Sequence, residues 1–207
     1  MTPRGRRRVL EVGGLPTHAF GHRDPLWWAV ILLVCIEGTM LVLLTISYFY
    51  LGDRMTPWPV EPIPRELAWL ATGELALWIA SAPAMAWASR AAVRGSLAGM
   101  RAGLVLSTLP ALAAIACRYW IMRALPFRWD GNAYASVVWT LLGAQWLHGL
   151  TGGGENLLYI ALLFRGPVED KHRVDIEVST PLWYFVIGGA LLVWAVLFAP
   201  VLLRGSV

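Results

Sequence analysis

The chain has 207 residues, of which 57% are hydrophobic and only 14% are charged, and its formal net charge is +4 at pH 7. Soluble domains have about a quarter of their residues charged, so this composition argues against a soluble domain. The positive charge comes almost entirely from arginines between apolar runs, a pattern that indicates membrane topology rather than a nucleic-acid-binding groove.

Five apolar stretches are long enough to cross a membrane, for which a helix needs about 20 mostly apolar residues. We predict an all-α fold, an integral membrane bundle of five transmembrane helices. A segment of residues 1–24 precedes the bundle and a tail of residues 204–207 follows it. The predicted spans are residues 25–50, 67–88, 102–122, 133–164 and 181–203.

The chain opens with a basic segment that has four arginines within its first eight residues. Residues 13–24 separate it from the first apolar stretch, and no small-residue cleavage site follows that stretch. A secretory signal peptide would place the basic and apolar regions side by side and end at such a site. We therefore interpret the segment 1–24 as a cytoplasmic extension ahead of a membrane anchor.

Turn-forming residues separate the next stretches. Thr56-Pro57-Trp58-Pro59 precedes the second stretch, Arg94-Gly95 precedes the third and Leu125-Pro126 follows it. The fourth stretch contains Gly152-Gly153-Gly154, which could divide it, but its second half would then be too short to span. We predict one long helix that tilts or projects past the lipid.

The fifth stretch follows Ser179-Thr180 and begins at Pro181. Proline is favoured in the first turn of a helix, because its missing N–H group would have no helical partner there. We therefore expect helices to begin at Pro25 and at Pro181.

The charges between the stretches predict the orientation. If the N-terminus is inside, eleven Lys and Arg side chains lie on the inner side and five on the outer side, which agrees with the positive-inside rule. The prediction is a multi-pass protein of the bacterial inner membrane with a cytoplasmic N-terminus and a periplasmic C-terminus. The inner residues are Arg4, Arg6, Arg7, Arg8, Arg23, Arg90, Arg94, Arg101, Arg165, Lys171 and Arg173, and the outer residues are Arg54, Arg65, Arg123, Arg128 and Arg204.

Tryptophan and cysteine add two smaller expectations. Tryptophans near the predicted helix ends, such as Trp58 and Trp183, indicate belts at the membrane interfaces. Cys35 and Cys117 lie inside apolar runs and form no CxxC motif, so neither a disulfide nor a metal site is expected. We interpret both cysteines as small buried residues.

Ionisable side chains inside a membrane are costly and are candidates for function. The predicted spans contain Glu37, Glu74, Arg118, His148 and Glu155. At a rise of about 1.5 Å per residue, Glu37 and His148 share a level near the midplane, and Glu74 and Arg118 share one in the outer half. We expect each pair to be in contact. The alternatives are adhesion between helices with no further role and, for Glu155, a side chain that snorkels to water.

These residues do not make a recognisable catalytic or cofactor site. Haem needs axial His or Cys ligands and most metal sites need several imidazoles, whereas His148 is the only histidine within a predicted span. No glycine-rich phosphate loop precedes a helix, and no Ser/His/Asp constellation is evident. We therefore predict no catalytic, cofactor-binding or metal-binding residue in this chain.

Several motifs occur in order between about residue 20 and residue 200. The first apolar stretch has Glu37 in its middle and ends in Ser47-Tyr48-Phe49-Tyr50. The others are Pro57-Trp58-Pro59-Val60, Trp87-Ala88 with Gly95, Trp129-Asp130-Gly131-Asn132-Ala133-Tyr134-Ala135-Ser136, His148-Gly149-Leu150 ahead of Arg165, and Trp183-Tyr184-Phe185-Val186 ahead of Trp194. Together they resemble the motifs of cytochrome c oxidase subunit III, in the five-helix form that lacks two N-terminal helices.

The resemblance implies a role and partners. Subunit III of the haem–copper oxidases carries no metal and lies beside the catalytic subunit I, which holds the haem and copper. It stabilises that subunit, supports proton uptake and binds phospholipid. The resemblance therefore implies a non-catalytic subunit of a terminal oxidase, acting in aerobic electron transport with cytochrome c or quinol as the electron donor.

The chain departs from the family pattern at several motif positions. Arg118 precedes Tyr119 where the family often has Glu before Tyr, Thr151 replaces the second His of a His-Gly-Leu-His element, and Tyr184 and Ile187 replace the His and Asp of the last helix. These departures indicate a divergent branch. Two alternatives stay open: an accessory subunit of a nitric oxide reductase and, in a different class, a small ion-coupled transporter.

Overall fold

A computed structural model describes residues 19–166 and 168–203. The described residues form helices joined by short loops, and no strand is found among them, so the predicted all-α fold is confirmed. Most of the segment 1–24, with its four leading arginines, and the tail 204–207 lie outside the described residues.

Among the described residues, five long α-helices and one short α-helix make up the bundle, and a 3-10 helix, Gly21–Arg23, precedes them. They are α1 (Pro25–Arg54), α2 (Arg65–Arg94), α3 (Leu97–Arg123), α4 (Ala133–Arg165), α5 (Asp170–Leu197) and α6 (Ala199–Leu203). We call the end of the bundle with the loops 55–64 and 124–132 the loop end. The opposite end, which holds the tight connections at Gly95 and Gly166, is the turn end.

Four of the long helices are long and apolar enough to cross a membrane: α1, α2, α3 and α5. This is the pattern of a multi-pass membrane protein. The predicted fourth span corresponds to α4, which is a single unbroken helix of 33 residues, as expected. α4 is not among these four helices, and Gln145, His148, Glu155 and Asn156 all lie along it.

Local sequence explains where several helices start and stop. The Asp24 carboxylate accepts a hydrogen bond from Leu26 N at 2.7 Å, and Asn132 caps α4 by accepting from Ala135 N at 2.8 Å. Such caps satisfy N–H groups that have no partner within the helix. Gly95 ends α2 with φ of 72°, a conformation that glycine adopts without the steric cost of a side chain.

The prediction that the fifth helix begins at Pro181 is wrong. α5 begins at Asp170, so that Pro181 lies inside it. The hydroxyls of Ser179 and Thr180 donate to the carbonyl of Ile176 at 3.1 and 3.2 Å. Pro181 removes only the helical hydrogen bond to the Glu177 carbonyl, and proline occurs inside membrane helices despite such a loss. The apolar run that begins at Pro181 therefore covers only the second part of α5.

α2 and α3 form an antiparallel hairpin with very close backbones. A Cβ atom added to Gly103 would lie 2.7 Å from the backbone nitrogen of Ala88. Close approach of small residues is a usual way for membrane helices to associate, because it increases van der Waals contact. The hairpin therefore has no room for a side chain at position 103.

Replacing Gly103 with alanine is expected to destabilise the bundle by roughly 1–3 kcal/mol, the usual cost of overpacking. The Ala88 backbone, unlike a flexible side chain, cannot move aside. Denaturant unfolding in mild detergent would measure the loss. The control is Gly73→Ala on α2, since a Cβ there meets nothing within 4 Å; equal stability of the two variants would contradict the prediction.

α1 lies at the side of the bundle, against α4 and α5. Leu41 is its only fully buried residue, and its other faces expose large apolar side chains such as Leu32, Ile36 and Ile46. Cys35 is exposed on this helix and Cys117 is half-buried, so the interpretation of both cysteines as buried residues is wrong. The exposed faces of α1 are available to lipid or to another protein.

Polar side chains join the helices at several levels. At the turn end, Arg101 donates to the Leu163 carbonyl through two nitrogens, at 3.0 and 2.6 Å. Arg173 donates to the carbonyls of Ala92 and Val93 at 2.8 and 3.0 Å. The last carbonyls of α4 and α2 thereby gain the partners that a helix C-terminus lacks.

Trp183 is buried inside the bundle and does not belong to the predicted interfacial belt. It is 2% exposed, and its indole N–H donates to Ser81 Oγ at 3.0 Å. The indole N–H of Trp194 likewise donates to Thr72 Oγ1 at 2.9 Å. Because α5 starts at Asp170, Trp183 lies in the middle of the helix and faces α2 instead of an interface.

Candidate functional site

Glu74 and Arg118 form a buried ion pair between α2 and α3. The Arg118 Nε and Nη2 atoms each lie 2.9 Å from Glu74 Oε1. The two side chains are only 3% and 2% exposed. The contact predicted from their matched depth is confirmed.

The ion pair is incompletely bonded within the protein. Glu74 Oε2 and Arg118 Nη1 are enclosed and have no hydrogen-bond partner among the described residues. The Phe198 ring lies 5.9 Å from the guanidinium carbon and covers one side of it. Burial of charge is costly unless the charge is paired, so neither residue is replaceable on its own without loss.

Glu37 and His148 form the second predicted pair, between α1 and α4. His148 Nε2 lies 3.2 Å from Glu37 Oε2, and 111 positions separate the two residues in the chain. The imidazole packs edge-on against the Phe185 ring at a centroid distance of 5.1 Å. The predicted contact is confirmed, and it brings α1, α4 and α5 together at one level.

The Glu37–His148 pair differs from the ion pair in its surroundings. The Glu37 side chain is 31% exposed and the His148 side chain 13% exposed, so the carboxylate reaches the surface of the bundle. His148 Nδ1 is enclosed and unpartnered among the described residues. An imidazole and a carboxylate within hydrogen-bond distance can share or exchange a proton.

Glu155 is separate from both pairs. Its side chain is half-buried, and its carboxylate accepts a hydrogen bond from the Tyr159 hydroxyl at 2.7 Å, one turn along α4. The bond directs the carboxylate along α4 toward the turn end, and the snorkelling alternative stays a prediction. The structure does not bring Glu155 into contact with Glu37 or Glu74.

Two buried amides on α4 were not predicted as contacts. Gln145 Nε2 donates to the Val186 carbonyl at 2.8 Å, and Asn156 Nδ2 donates to Thr108 Oγ1 at 3.3 Å. A side chain on Gly189 would collide with Gln145. The signal available in the sequence was the row of polar residues on α4, but their partners on α3 and α5 could not be read from spacing.

An aromatic cluster at the loop end was also missed. The Tyr134 ring contacts the rings of Trp58 and Phe127 at centroid distances of 4.9 and 5.4 Å. Tyr48 of α1 contacts Trp58 at 5.2 Å. The motif Pro57-Trp58-Pro59 indicates a rigid loop. The packing of that loop against α4 depends on contacts between residues that are far apart in the sequence.

The described residues contain no group of three or more His, Cys, Asp or Glu side chains that could hold a metal ion. The five ionisable candidates therefore form two pairs and one hydrogen-bonded carboxylate. Comparison of the chain with models of known protein families and with curated proteins finds no match.

Proposed function

We propose that this chain is a non-catalytic subunit of a respiratory haem–copper oxidase, of the subunit III type. The observation that carries the proposal is the contact between Glu37 and His148. These two residues belong to separate motifs of the resemblance. If the motifs share a role, their residues should be in contact. α1, which carries Glu37, and α4, which carries His148-Gly149-Leu150, lie side by side and make this contact.

The proposed topology has five spans in a bacterial inner membrane. α4, with 33 residues, is about 50 Å long at 1.5 Å per residue, which exceeds the hydrocarbon thickness. Its polar amides Gln145 and Asn156 are buried against α5 and α3 instead of facing lipid. The turn end, with Arg101 and Arg173, is then cytoplasmic and the loop end periplasmic.

The proposed role is to stabilise the catalytic subunit, to support its proton uptake and to bind phospholipid. The exposed side of α1 is the surface that we assign to the catalytic subunit, because its large side chains are apolar along the whole helix. The half-exposed carboxylate of Glu37 would lie at that contact. Haem and copper belong to the partner.

Co-purification after mild solubilisation tests this proposal. Full-length chain with an affinity tag is captured from membranes, and the associated proteins are examined by haem spectroscopy and metal analysis. Haem together with copper supports the oxidase. Haem with non-haem iron indicates a nitric oxide reductase, and capture without any haem protein favours the transporter class; either result refutes the proposal.

The isolated chain is expected to bind no haem. His148 is in contact with Glu37 and is the only histidine within a predicted span. Chain purified alone and folded should show no Soret absorbance after incubation with haem. A stoichiometric Soret band that disappears in His148→Ala would contradict the expectation, and His172→Ala serves as the control.

A further inference from the structure

A cavity of about 420 Å³ opens at the loop end, between α1, the loop 55–64 and the junction of α5 and α6. Its walls are aromatic, proline and aliphatic side chains, among them Tyr48, Trp58, Pro62, Tyr134 and Val201. Small-molecule sites in proteins are typically about 300–1,000 Å³ and mostly apolar, with a few polar groups that orient the ligand. The cavity has the size and the walls of such a site.

Two hydrogen-bond donors in these walls have no acceptor among the described residues. They are the indole N–H of Trp58 and the hydroxyl of Tyr134, a residue that is only 2% exposed. Packed indoles elsewhere in the bundle are satisfied: the N–H groups of Trp139 and Trp146 donate to backbone carbonyls at 3.1 and 3.0 Å. Polar groups that face a cavity can bind and orient a ligand that enters it. The cavity therefore offers two donors to an acceptor that the protein does not supply.

The charges around the cavity restrict the chemistry of that acceptor. No Lys, Arg, Asp or Glu side chain lines the cavity. Glu61 accepts a hydrogen bond from Asn132 at 3.4 Å and acts electrostatically on Tyr134. A phosphate group would find no cation in these walls and would be repelled by the Glu61 carboxylate. A neutral oxygen acceptor is favoured.

We propose that this cavity binds a lipid-soluble quinone. A quinone has a flat neutral ring, carbonyl oxygens that accept hydrogen bonds, and an apolar tail. The ring would lie among the aromatic and proline side chains, where flat rings pack well, with carbonyl oxygens facing Trp58 and Tyr134. The tail would leave past Phe49, an exposed residue at the edge of the cavity. This site lies apart from the Glu37–His148 pair and does not depend on an oxidase partner.

Photolabelling of the full-length chain in lipid nanodiscs tests the site. An azido-quinone probe is expected to label the peptides that form the cavity, within residues 48–63 and 196–201. Val201→Phe fills the cavity and should reduce this labelling at least fivefold. The matched control is Val42→Phe on the exposed side of α1, which should leave labelling unchanged.

The two donors are tested by changes that keep the aromatic rings. Tyr134→Phe and Trp58→Phe should each weaken quinone binding about fivefold, the usual effect of one neutral hydrogen bond. Tyr134→Phe should leave the unfolding transition in place, since the hydroxyl has no partner to lose within the described chain. A purely structural role of Tyr134 would move stability and leave quinone affinity unchanged.

Three results would overturn the proposal. Equal labelling of wild type and Val201→Phe would show that the quinone binds elsewhere. Displacement of the probe by phospholipid but not by unlabelled quinone would make the cavity an acyl-chain site. The fold of Tyr134→Phe does not depend on the hydroxyl, so an unchanged quinone affinity in this variant would show that the hydroxyl does not bind the quinone.

Discussion

Replacing Glu74 with glutamine is expected to lower the free energy of unfolding by about 3–5 kcal/mol, the usual cost of breaking a buried ion pair. Arg118 is 3% exposed, and it would keep its charge because a guanidinium does not lose its proton in proteins. The remaining positive charge would lie in the bundle without a counter-charge. No other acidic side chain is described within salt-bridge distance of it.

Arg118→Gln is expected to cost less than Glu74→Gln, because an unpaired carboxyl group can bind a proton and become neutral. The double variant should be milder than either single change, since it removes both charges together. A double-mutant cycle, measured by denaturant unfolding in mild detergent, gives the coupling between the two residues, for which roughly 2 kcal/mol or more is expected.

The control for the ion pair is Arg123→Gln, an exposed arginine at the end of the same helix. Exposed charges contribute little to stability, so this change should lie within about 0.5 kcal/mol of the wild type. Strictly additive losses for Glu74→Gln and Arg118→Gln would show that the two side chains do not stabilise each other.

If the chain is the oxidase subunit proposed above, Glu37→Ala is expected to reduce its retention in the complex, or the durability of turnover, by at least a factor of two, without changing the haem content of the catalytic subunit. The reason is that Glu37 is the polar contact between α1 and α4, at a surface that we assign to the catalytic subunit. Quantitative co-purification and repeated-turnover assays measure the two effects. His148→Ala should give the same phenotype.

Two further variants separate a proton-handling role from packing. Glu37→Gln keeps the shape and the hydrogen bond to His148 but cannot carry a charge. If Glu37 only packs, Glu37→Gln behaves as wild type while Glu37→Ala does not; if its proton matters, both variants lose turnover durability. Glu66→Gln, an exposed carboxylate in the first turn of α2, is the control. Wild-type assembly and turnover in Glu37→Ala would remove the functional claim.

The positions of the long helices were predictable because lipid-facing and buried helix surfaces are both apolar, so each long helix produced an apolar run. Their ends were less predictable. α5 begins at Asp170, in a polar turn where Glu169 and His172 form a capping box, and hydropathy does not detect a polar first turn. Pro181 was misread because proline is also compatible with the interior of a membrane helix.

The two polar pairs were predictable because position along a straight helix converts directly into height. Height does not reveal which face of a helix points inward. The orientation of Trp183 toward Ser81, and the bond from Gln145 to the Val186 carbonyl, depend on helix rotation. The aromatic cavity depends on how the loop 55–64 folds over the bundle, which no local pattern describes.

If the turn end is cytoplasmic, as proposed, its arginines link the insertion of this protein to its folded stability. Arg101 and Arg173 are among the charges expected to hold the turn end in the cytoplasm, and their guanidinium groups also bind the carbonyl ends of α4 and α2. Lysine at either position would carry the same positive charge for membrane insertion. Its single ammonium group cannot donate from two nitrogens in a fixed plane, as the guanidinium group does. Replacement of arginine by lysine is therefore restricted at positions 101 and 173, because the two guanidinium groups hold the ends of α4 and α2.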